Sequence, residues 1–259
     1  MNLHFFKYQG TGNDFIMIDN RELFFPKNNE TLINKLCDRK FGIGADGLIL
    51  LEPSNTYDFK MIYFNADGKE GSMCGNGGRC IVAFAKQLNI INTKTTFDAV
   101  DGLHYATIEN EQVNLKMIDV SNIEVTNDFS FLNTGSPHHI RFCDDVASIN
   151  VKELGAKIRY GAPYFENGTN VNFVEQTSEN SFKVRTYERG VENETLACGT
   201  GVTAVAIAAS KTKKTTNQNI QIEVLGGTLE VSFKKEDNTY TNVFLKGPAQ
   251  FVFEGNIRI

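Results

Sequence analysis

Long apolar runs are missing from this sequence. Nowhere do about 18 apolar residues follow one another without interruption, so no membrane-spanning helix is predicted. The opening Met1-Asn2-Leu3-His4-Phe5-Phe6-Lys7 lacks a basic stretch leading into an apolar one, so no secretory leader is expected. Basic clusters are absent too: 26 Lys and Arg against 31 Asp and Glu leave a net charge of −5, which argues against nucleic acid and anionic membranes as partners. There is no tryptophan, proline is scarce at 5 residues, and no low-complexity tract occurs. With 41% apolar residues, the chain has the material for a sizeable core, and a soluble globular protein is predicted.

The five cysteines, Cys37, Cys74, Cys80, Cys143 and Cys198, are odd in number and widely spread, unlike a secreted disulfide framework. A cytoplasmic chain with reduced thiols is the simplest reading. Metal-knuckle spacing is absent, since Cys74 and Cys80 lie too far apart and Cys198 has neither Cys nor His nearby, so no metal is expected. The Gly-Asn-Gly-Gly-Arg run lacks the Lys-Ser/Thr ending of a phosphate loop. No G-x-G-x-x-G follows a strand in a dinucleotide-binding context either.

What the chain does contain is a repeat near half its length. Thr11-Gly12 recurs 123 positions on as Thr134-Gly135, Glu52 as Glu175, and Phe59-Lys60 as Phe182-Lys183. After one inserted residue, Glu70-x-x-x-Cys74-Gly75-x-Gly77 recurs at an offset of 124 as Glu194-x-x-x-Cys198-Gly199-x-Gly201. In each copy a β-type run, Phe59–Phe64 or Phe182–Tyr187, leads through glycines to the Cys-Gly pair and into a helical stretch. Gly201–Ala209 carries no charge on any face and Ile81–Leu88 only Lys86, so both helices are predicted to be wrapped by sheet. Further strands are expected at Gly47–Leu51, Asn114–Met117, Val171–Val174, Ile220–Leu225, Leu229–Phe233 and Asn242–Leu245. Helices are expected at Glu30–Arg39 and Val151–Arg159, capped by Asn29 and Asn150. The prediction is an α+β chain of two pseudo-symmetric domains, each a curved sheet around one helix. Residues 1–120 and 121–248 form the halves, with a C-terminal strand from about 249 to 259 free to join the first.

Each repeated cysteine is placed at a helix start, where unpaired N–H groups and the positive dipole end favour an anion. A thiolate is such an anion, and its pKa is expected below the ordinary value near 8.5. The neighbouring glycines remove side chains, so the same N–H groups suit a substrate carboxylate. Two equivalent thiols match inversion at a carbon: one base takes a proton from one face while a conjugate acid delivers one to the other.

The segments Phe64-Asn65-Ala66-Asp67-Gly68, Met73-Cys74-Gly75-Asn76-Gly77-Gly78-Arg79-Cys80, Glu188-Arg189-Gly190 and Glu194-Thr195-Leu196-Ala197-Cys198-Gly199-Thr200-Gly201 resemble those of the diaminopimelate epimerases. Gly10–Phe15 and Gly135-Ser136-Pro137-His138 are similar to that family's other signatures, so the resemblance runs from about residue 7 to 208. It implies two antiparallel sheets or barrels, each around a central helix, and cofactor-independent interconversion of LL- and meso-diaminopimelate in lysine and peptidoglycan-precursor synthesis. Cys74 and Cys198 are then the acid and base. His138 and Glu188 sit beside them and orient the substrate ammonium or the thiols. Gly75, Asn76, Gly199 and Thr200 bind the carboxylate at the reacting carbon, and Asn13, Asn65, Asn170 and Arg189 hold the distal amino-acid group. A small-molecule amino acid is the implied partner, no cofactor is implied, and a homodimer is compatible with the resemblance. A related racemase of histidine, proline or hydroxyproline is the alternative, although Asn76 stands where proline racemases usually carry His. Three departures bear on distal recognition: Ser136 where many members have Asn, Gly47 where some have Gln, and one extra residue in Val191-Glu192-Asn193.

Overall fold

The structure, a computed structural model, describes residues 2–71 and 73–259. The chain forms two compact units, residues 1–115 with 247–259, and residues 116–246. Among the described residues no helix is long and apolar enough to cross a membrane.

The first unit is built from β1 (Asn2–Gly10), β2 (Asn13–Asp19), α1 (Glu30–Cys37), β3 (Gly47–Glu52), β4 (Phe59–Asn65), α2 (Gly75–Gln87), β5 (Lys94–Ala99), β6 (Gly102–Glu109) and β7 (Gln112–Lys116). The second holds β8 (Ile123–Val125), β9 (Ser130–Asn133), β10 (Pro137–Cys143), α3 (Val151–Tyr160), β11 (Asn170–Gln176), β12 (Ser181–Glu188), β13 (Asn193–Thr195), α4 (Gly199–Lys211), β14 (Asn219–Val224), β15 (Gly227–Glu236) and β16 (Thr239–Pro248). The last strand, β17 (Gln250–Arg258), returns to the first unit and pairs antiparallel with β1. As the side-chain chemistry demanded, Asn29 Oδ1 accepts from Leu32 N at the start of α1 and Asn150 Oδ1 from Glu153 N at the start of α3.

Both cysteine-capped helices are buried, α4 without a charge before Lys211 and α2 with Arg79 buried inside it. In α4 every residue from Gly201 to Ser210 is buried, and in α2 every residue from Gly75 to Ala85. A helix with no polar face can be stable only where sheet covers it all round. In the first unit Phe6 and Tyr8 of β1 hold Phe84 of α2 at ring separations of 4.9 and 5.8 Å.

Most ladders are antiparallel, with one parallel pair on either side of β3–β4 and its counterpart on either side of β11–β12. The parallel registers carry the repeat. Phe15 faces Gly47 across β2–β3, and 123 positions on His138 faces Asn170 across β10–β11. Each half thus folds the same frame from different side chains. The turn between β1 and β2, Thr11-Gly12, holds both residues at positive φ, 52° and 86°; this two-residue hairpin geometry matches strand twist and sets Asn13 at the head of β2.

His139 lies buried in β10, stacked on Phe129 at 4.5 Å with its Nδ1 2.9 Å from the Tyr164 hydroxyl. Burial, with a smaller contribution from Arg141, pulls its pKa down to about 4. The unfolded chain takes up that proton at the ordinary value near 6.5, so stability falls as the pH drops through 6.5 and the loss ends near pH 4. His139→Gln should therefore lose about 2 kcal/mol less than the parent between pH 7 and pH 5 in urea unfolding. Equal losses in the two proteins would show that His139 is not held neutral.

Candidate active site

Cys74 and Cys198 are the N-cap residues of α2 and α4, both with extended backbone. Their carbonyls take the first helical bonds, from Gly78 N at 2.7 Å and Val202 N at 3.0 Å. The N–H groups of the first turns, Gly75-Asn76-Gly77 and Gly199-Thr200-Gly201, precede any carbonyl of their own helix that could accept them. Such N–H groups together with the helix dipole form an anion site, and the glycines leave the backbone bare.

In the first unit the Cys74 site rests on a chain of oriented amides. Asn13 Nδ2 donates to Asp46 Oδ2 at 2.6 Å, which turns Asn13 Oδ1 toward the helix. That oxygen accepts from Asn76 Nδ2 at 3.3 Å and lies 3.7 Å from Cys74 Sγ, within the longer reach of a thiol donor. Asn76 Oδ1 in turn accepts from Arg79 Nη2 at 3.1 Å, and the same nitrogen donates to Thr11 Oγ1 at 3.0 Å. Arg79 is wholly buried, and burial lowers its pKa. At the other end Arg39 donates to Asp46 at 2.8 Å and forms a two-pronged pair with Asp14 at 2.6 and 3.0 Å, while Lys7 reaches Asp14 at 2.7 Å. Burial alone would raise the Asp14 pKa; hydrogen bonds from Arg39 and Lys7 outweigh it and hold it at about 2. Arg79 stands inside the Met73–Cys80 motif, three residues after the Asn76 it orients, whereas Asp46, 33 residues from Asn13, has no signature in the sequence.

In the second unit Cys198 Sγ lies 3.5 Å from Thr200 Oγ1, and His138 Nε2 lies 2.9 Å from the same hydroxyl. Thr134 Oγ1 donates to the Thr200 carbonyl at 2.8 Å. His138 is fully buried, and burial, with a smaller push from Arg189, lowers its pKa to about 3, so the ring is neutral at working pH. Asn170 Nδ2 donates to Ser136 Oγ and to the Pro137 carbonyl, both at 2.9 Å, and its Oδ1 accepts from Arg189 N at 2.9 Å. The Arg189 side chain is exposed and donates to the Asn167 carbonyl at 2.9 Å.

The structure thus joins Cys74 with Asn13 and Asn76, joins Cys198 with Thr200 and His138, and joins Asn170 with the Arg189 backbone. Asn65 closes β4, its N–H and carbonyl bonding Lys69 and Gly68 in the turn that follows. Glu188 ends β12, with its carbonyl accepting from Glu192 N at 2.8 Å. The extra residue of this loop is tied down by Glu192, whose carboxylate accepts from Arg159 Nε, Gly190 N and the Tyr187 hydroxyl at 3.1–3.2 Å. A side chain at Gly47 has no room: its Cβ would stand 2.5 Å from the Tyr63 ring and 2.6 Å from the Phe64 carbonyl. Ser136 meets Asn170 directly.

Burial pushes Cys37 and Cys80 up to about 12, and Cys143 is raised as well. Cys80, inside α2 with no exposed surface, packs inward. Among the described residues no group of three or more His, Cys, Asp or Glu side chains is disposed to hold a metal ion.

The family model described as diaminopimelate epimerase matches residues 5–122 and 130–252. The diaminopimelate epimerase of Flavobacterium psychrophilum is 62% identical over 253 residues, covering 97% of this chain and 99% of its own. That of Chlorobaculum tepidum is 42% identical, covering 96% and 99%. Among solved structures, a PhzF-family phenazine biosynthesis protein of Bacillus anthracis superposes over 100% of both chains with a TM-score of 0.79 at 14% identity. A hydroxyproline epimerase of Agrobacterium vitis covers 99% of this chain and 92% of its own with a TM-score of 0.70 at 12% identity. At those identities the two structures speak for the fold alone, whereas the sequence matches span nearly the whole chain: it belongs to the diaminopimelate epimerase family.

Proposed function

We propose that this chain is an isomerase that interconverts LL- and meso-diaminopimelate by a two-thiol, cofactor-independent route, serving lysine and peptidoglycan-precursor synthesis. The observation that carries the reading is the duplicated cysteine cap on a buried glycine-led helix, in a chain 62% identical to a relative named diaminopimelate epimerase. The thiolate of one cysteine takes the α-proton, and the thiol of the other gives its proton to the opposite face of the same carbon. The atoms balance, because thiol and thiolate exchange roles in each turnover. Charge that develops on the α-carboxylate meets the N–H groups of Gly75-Asn76 and Gly199-Thr200, which need no reorganisation to receive it. His138 and Glu188 orient the ammonium or the thiols.

The distal amino-acid group falls to Arg189, Asn13, Asn65 and Asn170. Arginine suits a carboxylate because its planar fork makes two parallel hydrogen bonds. A cytoplasmic location fits chemistry that depends on reduced thiols. A homodimer fits β17, which carries Phe251, Val252 and Phe253 as exposed apolar residues.

Cys74→Ala and Cys198→Ala should each abolish epimerisation, while Cys37→Ala and Cys143→Ala keep near-parental turnover of LL-diaminopimelate. Near-parental activity in either of the first two would end the two-thiol reading. Substrate choice has its own test. Lysine lacks the distal amino-acid group and leaves those polar groups unmatched, so its kcat/KM should be at least roughly a hundredfold lower than that of diaminopimelate. Arg189→Lys should narrow this ratio by weakening diaminopimelate; equal kcat/KM values in the unmutated protein would point to a broader amino-acid racemase.

A further inference from the structure

The two copies of the repeat differ in what lies beneath the cysteine helix. In the first unit a Cβ on Gly77 would stand 3.0 Å from Ile49 Cδ1 and 3.6 Å from Phe15 Cε1. In the second, a Cβ on Gly201 would stand 2.6 Å from Asn172 Oδ1 and 3.3 Å from His138 Cε1. These are equivalent places: Gly77 and Gly201 lie 124 positions apart, Phe15 and His138 lie 123 apart, and so do Ile49 and Asn172. All four side chains are completely buried. The frame is therefore satisfied by an apolar pair in one half, and packing does not require the polar pair in the other. Burying such groups costs free energy unless every hydrogen bond is made.

The bonds are made, and they have a direction. Asn172 Nδ2 lies 3.2 Å from the His139 carbonyl, which can only accept, so the NH₂ end of the amide must face that way. Its second hydrogen meets His138 Nδ1 at 3.1 Å, while Asn172 Oδ1 accepts from Thr186 Oγ1 at 3.0 Å. A donor facing Nδ1 requires that nitrogen to be bare, and the ring proton then sits on Nε2. From there it is donated to Thr200 Oγ1 at 2.9 Å. The Thr200 hydroxyl, its oxygen occupied as acceptor, has its own hydrogen left for Cys198 Sγ at 3.5 Å. A neutral His138 leaves no second ring proton to oppose Asn172.

We propose that Asn172 is a positioning residue: it locks His138 in the Nε2–H tautomer, so that Thr200 donates to Cys198 Sγ and favours its thiolate, the proton-accepting form. The equivalent contact in the first unit has the opposite polarity, since Cys74 Sγ faces the acceptor Asn13 Oδ1, which suits a thiol. The proposal deepens the two-thiol reading and rests on it for the role of Cys198.

The test begins with ¹⁵N NMR of the four histidine side chains in the unmutated protein, the His138 signals being assigned by their absence in His138→Gln. The expected result is a protonated Nε2 and a bare Nδ1; a protonated Nδ1 overturns the proposal. Asn172→Asp then sets a carboxylate oxygen against Nδ1. The ring should acquire an Nδ1 proton, and kcat should fall at least roughly tenfold while KM stays within about threefold. A folded Asn172→Asp protein with parental kcat, or one that loses kcat with an unchanged ring tautomer, contradicts the proposal. Should that variant fail to fold, the tautomer of the unmutated protein decides alone. Because the NMR measurement uses no substrate, failure to turn over diaminopimelate would end the functional reading without touching the tautomer assignment.

Discussion

A helix buried on every side cannot satisfy its own first N–H groups, and this constraint organises each half of the chain. The mostly apolar α2 and α4 can exist only inside sheet, where water does not reach most of their surface. Their opening turns must nevertheless point N–H groups at something. Glycines there keep the backbone open, and a cysteine in the cap position sets a polarisable sulfur at the positive end of the dipole. A structural weakness of the buried helix thereby leaves unpaired N–H groups suited to an anion, with a sulfur at their edge.

Sulfur placement alone does not decide what each thiol does, and the two halves surround it differently. Around Cys74 the oriented chain runs from the Arg79 guanidinium through Asn76 and Asn13 to the Asp46 carboxylate, cation to anion, and leaves an amide oxygen at the sulfur. Around Cys198 the chain passes from Thr186 through Asn172, His138 and Thr200, and leaves a hydroxyl at the sulfur. Duplication supplied the frame, and divergence of a few interior side chains made the halves chemically unequal. The proposed reaction, which at any moment needs one base and one acid, is compatible with that inequality.

Much of this was legible from local pattern. The caps at Asn29 and Asn150, the buried character of the two helices and the pairing of the motifs all follow from short-range chemistry or from a fixed offset. The supporting residues were not legible in the same way. Asp46, Asn172 and Thr186 act through a neighbouring strand or turn, and their importance depends on which end of an amide faces which atom. Yet the offset contained a usable signal: where one copy has Phe15 and Ile49 in its core, the other has His138 and Asn172. A polar residue at a position whose repeat partner is apolar and buried marks a place where packing has yielded to chemistry. The β1–β2 hairpin escaped the strand reading because Phe5–Tyr8 and Phe15–Ile18 are buried in continuous runs and do not alternate with exposed residues.

The central claim is that two different thiols act on one carbon, and isotope incorporation addresses it most directly. LL-diaminopimelate is incubated with the protein in deuterated buffer, and the α-positions of substrate and product are followed by NMR from the earliest turnovers. Thiols exchange with solvent, so the acid cysteine delivers a deuteron while the abstracted proton stays on the other sulfur. The account predicts that meso product carries α-deuterium from the start while recovered LL-substrate remains almost fully protonated. Product that retains the original α-proton, or substrate and product deuterated at equal early rates, would show that a single base serves both faces and would contradict the account.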